Sequence, residues 1–282
     1  MTESILTPFP SSPVAFAVPA AAPWWVLRVG AALCFIGHGA FGFITKAAWI
    51  PYFGVVGIPE PWAWSLMPWI GALDVTAGMA VLFAPRPLPV IYMAVWALWT
   101  AWLRPLAGES VFEAIERAGN YGVPFAFLLW GGIPRSWRGL FGSLNDRATV
   151  PANPGRVRLV LQWTTCLLLA GHGALGAVTG KAMLTQHYTG IGLPAVTTQL
   201  VGWFELALAA AIAIRPVGGL LVFVALWKLV TESLFIAAGA PIWEWVERAG
   251  SYAAPLALAF VLLTDRRPPP QTHGREPVPA PR

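Results

Sequence analysis

Two near-identical hexapeptides, Gly-His-Gly-Ala-Phe-Gly at 37–42 and Gly-His-Gly-Ala-Leu-Gly at 171–176, place His38 and His172 in strongly apolar sequence. An imidazole in such surroundings can hydrogen-bond a quinone carbonyl, carry a proton or ligate haem iron. Each histidine is followed by a lysine, Lys46 or Lys181, and then by a carboxylate inside the next apolar run, Asp74 in "IGALDVTAG" or Glu205 in "VGWFELALA". Ionisable groups within a membrane span are costly and are functional candidates by default. The set His38, Lys46 and Asp74, with His172, Lys181 and Glu205, is therefore a candidate cofactor-binding or proton-handling constellation. The bland reading stands beside it. Each histidine would be a packing residue bonded to the nearby lysine or carboxyl group, each acid would belong to a structural ion pair, and descent from one ancestor would by itself make the two sets match.

A second pattern is amphipathic. Glu113, Glu116, Arg117 and Asn120 fall at i, i+3, i+4 and i+7, on one helix face, and Glu244, Glu247, Arg248 and Ser251 repeat that spacing. Tyr121 and Tyr252 follow the two stretches. A partner-docking ledge or a set of structural ion pairs fits these residues better than catalysis. Lys228 and Glu232 are four apart and able to pair, with no clear counterparts in the first half. The sixteen tryptophans read as interfacial anchors and lipid-facing bulk. No CxxC, HExxH, GxSxG in a strand–helix context, phosphate loop or dinucleotide fingerprint is present, and no metal site is expected.

These residues need elements to hold them. With 57% hydrophobic and only 11% charged residues, the chain departs far from soluble composition. Eight apolar stretches, at about 24–45, 66–84, 88–104, 118–133, 158–179, 196–214, 217–237 and 250–264, predict an all-α polytopic membrane protein. Twelve of the eighteen basic residues, but four of the thirteen acids, fall at one set of span ends, which places both termini in the cytoplasm by the positive-inside rule. The N-terminal stretch lacks a basic n-region and does not read as a secretory signal. The basic balance is topological, with no patch shaped for nucleic acid. Cys34 and Cys166 occupy non-equivalent apolar places, so no disulfide is expected.

The hexapeptides belong to a longer duplication. "ERAGNYGVP" at 116–124 matches "ERAGSYAAP" at 247–255, Gly57-Ile58-Pro59 matches Gly192-Leu193-Pro194, and Ala107-Gly108 matches Ala238-Gly239. Four spans per half make both halves enter from the same side, as parallel repeats. The expected organisation is a cytoplasmic tail (1–23), a four-helix unit (24–133), a cytoplasmic linker (134–157), a second unit (158–264) and a Pro-rich disordered tail (265–282).

The stretch "LRVGAALCFIGHGAFGFITKAAWIPYFGVVGIPEPW…IGALDVTAGMAVLF" resembles the DoxX-like family of four-span membrane proteins. The second half is similar more weakly, through "LLLAGHGALGAVTGKAML…YTGIGLP…VGWFELALA". The resemblance implies two fused DoxX-like units in a bacterial inner membrane. It also implies a subunit of a periplasm-facing, quinone-linked redox system that holds a quinone or partner subunits. Its partners would be the bilayer and other membrane or periplasmic proteins, and any enzyme would be a quinone-linked oxidoreductase. Haem b is the weaker cofactor alternative, since neither half has a second core histidine: His187 lies in an outer loop and His273 in the tail. A purely structural assembly subunit and a small-molecule transporter are the alternative functions.

Overall fold

The computed structural model describes residues 18–145 and 148–264. The C-terminal tail, most of the N-terminal tail, and Asp146 and Arg147 of the linker lie outside the described residues. Those described form twelve α-helices: α1 (Ala22–Ile44), α2 (Ile50–Val55), α3 (Glu60–Phe83), α4 (Pro87–Leu106), α5 (Val111–Glu116), α6 (Ala118–Gly131), α7 (Pro154–Ala177), α8 (Ala182–Gly190), α9 (Thr197–Ile214), α10 (Gly218–Ala237), α11 (Ile242–Glu247) and α12 (Ala249–Thr264). Six segments are long and apolar enough to cross a bilayer: α1, α3, α7, α9, α10 and the run Ile242–Thr264 that joins α11 to α12. The chain is a helical membrane protein.

Proline sets several starts. It occupies the first or second helical position of α1, α3, α4 and α7, where its missing N–H costs no hydrogen bond. It also explains why α3 begins at Glu60 and not near 66. Pro59 caps it in extended geometry, Pro61 suits the first turn, and the Glu60 carboxylate faces the positive end of the helix dipole.

The packing is interlocked. α1 lies along α3 and α7 along α9. α1 also packs against α11 and α12, from the far end of the chain, while α7 packs against α5 and α6. Helices α1, α6, α7 and α12 thus form a central group that shares one hydrophobic core, with Leu27, Phe127, Leu161 and Leu258 fully buried in it. The outer helices present large apolar side chains outward, such as Trp69 on α3 and Ile214 on α9, at 75% and 84% exposure. In water such surface would be a liability; against acyl chains it is the required one. Arg28, near the start of α1, is buried. Its guanidinium donates to the carbonyls of Val81 (3.0 Å) and Leu82 (2.7 Å) at the C-terminus of α3. Trp24 and Trp25 flank it, each with its ring centroid 4.7 Å away.

Candidate functional site

His38 projects from α1 toward α3. Its Nδ1 lies 2.8 Å from Asp74 Oδ2, and the Tyr92 hydroxyl of α4 donates to Asp74 Oδ1 at 2.6 Å. Asp74 is wholly buried, whereas the His38 side chain keeps 23% exposure. With Asp74 accepting on both oxygens, Nδ1 is the ring nitrogen that donates to it. Of the two partners expected for Asp74, the histidine takes the place and Lys46 goes elsewhere. The flanking glycines explain how α1 comes so close to its neighbours. A Cβ on Gly39 would sit 2.6 Å from the Gly71 carbonyl oxygen of α3, and one on Gly37 would sit 2.4 Å from the Glu247 backbone nitrogen of α11.

Beside the dyad is a cavity of about 160 Å³. Its aromatic walls include Trp49, Trp96 and Trp99, and its polar margin includes Arg104, Arg117 and Asn120. The Trp49 ring stacks on His38 with centroids 4.5 Å apart and 25° between planes. Trp96 stacks on Tyr92 at 6.1 Å and 15°. Its buried indole N–H finds no acceptor among the described residues. An orphaned buried donor is costly and calls for an explanation. At the rim, Tyr52 donates to Glu109 and receives a hydrogen bond from Arg104 at 2.8 Å. Burial pushes the Glu109 carboxyl up, but the Tyr52 hydroxyl and the Arg104 guanidinium outweigh it and hold it below the usual glutamate range.

The second copy keeps the dyad and fills its surroundings. His172 Nδ1 meets Glu205 Oε2, and Trp227 Nε1 donates to Glu205 Oε1 at 2.9 Å. Lys228, 1% exposed, lies 3.5 Å from Glu205 and 2.9 Å from Glu232, whose other oxygen is 3.0 Å from Arg248 Nε. His187 is buried in this half, its ring centroid 4.3 Å from that of Phe235. Burial and the nearby Arg248 hold the His187 imidazole below its ordinary pKa.

The remaining candidates tie the halves together. Lys46 reaches Glu244 of the other half at 2.6 Å, and Lys181 reaches Glu113 at 2.6 Å in the reciprocal contact. Arg117 pairs with Glu113 (3.3 Å) and Glu116 (3.4 Å), and Arg248 pairs with Glu244 (2.5 Å) and Glu247 (3.3 Å). The i,i+4 pairs read from sequence are therefore present, with inter-half lysines added. Tyr252 donates to the Trp245 carbonyl at 2.6 Å, and Tyr121 packs against the core. The sequence reading passed over Tyr92, Trp96 and Trp49. Its available signal was the agreement of Trp96 with Trp227 at the same offset, 131, as Ala107-Gly108 with Ala238-Gly239.

Glu116, His172 and Glu232 also bring ligand atoms within 4.8 Å of one another. Lys228 and Arg248 already flank both oxygens of Glu232, and Arg117 flanks Glu116. The trio fits an ion network better than a metal centre. Comparisons with known protein families, with curated proteins and with solved structures found no match to this chain.

Proposed function

We propose that this protein is a two-unit, DoxX-like subunit of a quinone-linked redox system, and that its first unit holds a quinone head group in the cavity beside His38. The observation that carries the proposal is the buried Trp96 N–H without an acceptor, in the wall of a cavity that also contains the His38–Asp74 dyad. A flat ring bearing oxygen atoms suits both features. Trp96 would donate to a carbonyl oxygen, His38 Nε2 would accept from a hydroxyl, and the indole walls would stack on the ring. A bound quinone supplies two-electron, two-proton redox chemistry. The chain contributes orientation, exclusion of water, and a dyad able to take or give a proton at Nε2. Lys46, Lys181 and Glu205 are assigned to the frame around the site.

The wider reading adds α4 and α6 as crossing segments, which makes eight, and relates the halves as parallel repeats. The matched dyads and the reciprocal Lys46–Glu244 and Lys181–Glu113 contacts support that relation. In this orientation the cavity opens toward the periplasmic side of a bacterial inner membrane. The test is decylubiquinone titrated into protein held in lipid nanodiscs, read by tryptophan quenching. Saturable quenching is expected, weakened about tenfold by His38→Ala or Trp96→Phe, as loss of one hydrogen bond implies. Quenching that never saturates, or that both variants leave untouched, would refute the quinone assignment. A purely structural role has one observation in its favour, the ion pairs that pack the second copy.

A further inference from the structure

Helix α10 follows α4 at an offset of 131. Trp96, Ala97, Thr100, Ala101 and Arg104 give way to Trp227, Lys228, Thr231, Glu232 and Phe235. Two positions are retained, two small residues become a long cation and its acid, and one cation becomes a phenyl ring. The surroundings change in step. With Gly57-Ile58-Pro59 aligned on Gly192-Leu193-Pro194, His187 stands where the first copy has Tyr52, and Leu184 where it has Trp49.

These exchanges land on the cavity. Ala97 is one of its walls in the first copy. At the matching place Lys228 is wholly enclosed between Glu205 and Glu232, and Phe235 is buried under Arg248, whose guanidinium lies 3.8 Å from the ring centroid. The Trp227 indole N–H, whose counterpart on Trp96 lacks an acceptor, donates to Glu205.

We infer that Lys228 and Glu232 form a built-in plug that closes, in the second copy, the space the first copy keeps as a binding cavity, so that the chain carries one ligand site and one sealed site. This rests on reading the first cavity as a binding site. The plug is an ion pair and not an apolar filler, so its two members depend on each other. Removing both leaves Arg248 paired with Glu244 and Glu247, and Glu205 paired with His172 and Trp227.

A thiol-accessibility experiment in the full-length protein tests the plug without reference to any ligand. Cys34 and Cys166 are first replaced by alanine, and single cysteines are then exposed to a small methanethiosulfonate reagent. Thr100→Cys, in the cavity wall at a partly exposed position, is expected to react readily. Leu184→Cys, at a position 5% exposed in the sealed copy, should react at least about tenfold more slowly, because thiol reactivity follows access. Adding Lys228→Ala and Glu232→Ala should bring Leu184→Cys to within about threefold of Thr100→Cys. A folded plug-free variant whose Leu184→Cys stays protected overturns the inference, as does equal reactivity with the plug in place. If the double alanine variant does not fold, the reciprocal exchange decides. Ala97→Lys with Ala101→Glu should protect Thr100→Cys in the first cavity, and undiminished labelling there would equally overturn it.

Decylubiquinone stoichiometry separates the two proposals. One molecule per native chain and two per plug-free chain support both. One in each case leaves the quinone site, and the thiol result alone then decides the plug, since Trp227 stays bonded to Glu205. None in the native chain removes the quinone assignment, while the thiol result still decides whether the second site is sealed.

Discussion

Replacing Asp74 separates two duties of one carboxylate. Alanine at 74 strands the Nδ1 proton of His38 and the hydroxyl of Tyr92 in a buried place, and each unsatisfied donor costs roughly 1–3 kcal/mol. Thermal unfolding in detergent should show a loss of about 2–4 kcal/mol. Asparagine keeps the shape but offers an amide N–H to one of the two donors. It should cost less stability and still weaken decylubiquinone binding about tenfold, by disturbing which ring nitrogen carries the proton. If both variants bind like the native protein, the dyad has no part in the site. Pairing of each histidine with an acid was one of two options legible in sequence, the lysine being the other, because few polar groups lie at that depth and a buried carboxylate must find one. Tyr92 and Trp96 were not legible as site residues. In an apolar helix an aromatic ring reads as bulk, and only its neighbours in space show whether its polar atom is used.

Among the elements, the contact of α7 with α5 is the tightest constraint described. A Cβ on Gly171 would lie 2.1 Å from the Glu116 backbone nitrogen, and backbone cannot yield as a flexible side chain does. Gly171→Ala should therefore destabilise the protein by about 1–3 kcal/mol by overpacking. Unfolding at the native midpoint would show that α5 shifts freely. Helix α8 gives a pH test. The His187 imidazole is held below its ordinary value near 6.5. As pH falls, the unfolded chain takes up that proton first, so the contribution is complete above about 6.5 and is lost below it. The midpoint should drop between pH 7.5 and 5.5, and His187→Gln should drop less; parallel curves would exclude His187 as the source. Helix boundaries were close to those read from hydropathy, except at α3, where Pro59 and Pro61 pull the start six residues earlier, and at α7, which starts four residues earlier at Pro154. The apolar stretch marks what lipid needs, whereas the capping prolines mark where the backbone turns.

For the whole molecule, the paired motifs were legible but the interlock was not. Residue patterns place Lys46 and Glu244 in separate polar sets, one per half, and carry no record that the partner comes from the other half. The 2.6 Å contact crosses from one half to the other, and Lys181 with Glu113 crosses back. Cutting the chain in the 134–157 connection should leave two fragments that co-purify when made together, held by α1 on α12 and α7 on α6. Either fragment made alone should aggregate, because its first helix lacks the cover that the other fragment provides. Independent folding of a fragment, shown by a cooperative melt, would contradict the interlock.

That interlock also dictates an order of assembly during synthesis. The first spanning helix leaves the ribosome early, yet the α11–α12 segment that covers its glycine-lined face emerges only at the end of the described chain. Nascent protein must carry the Gly37 side of α1 uncovered until residues 242–264 have been made. Chains that stall before residue 242 would expose that seam to membrane chaperones and proteases, so truncation products should be cleared rather than accumulate.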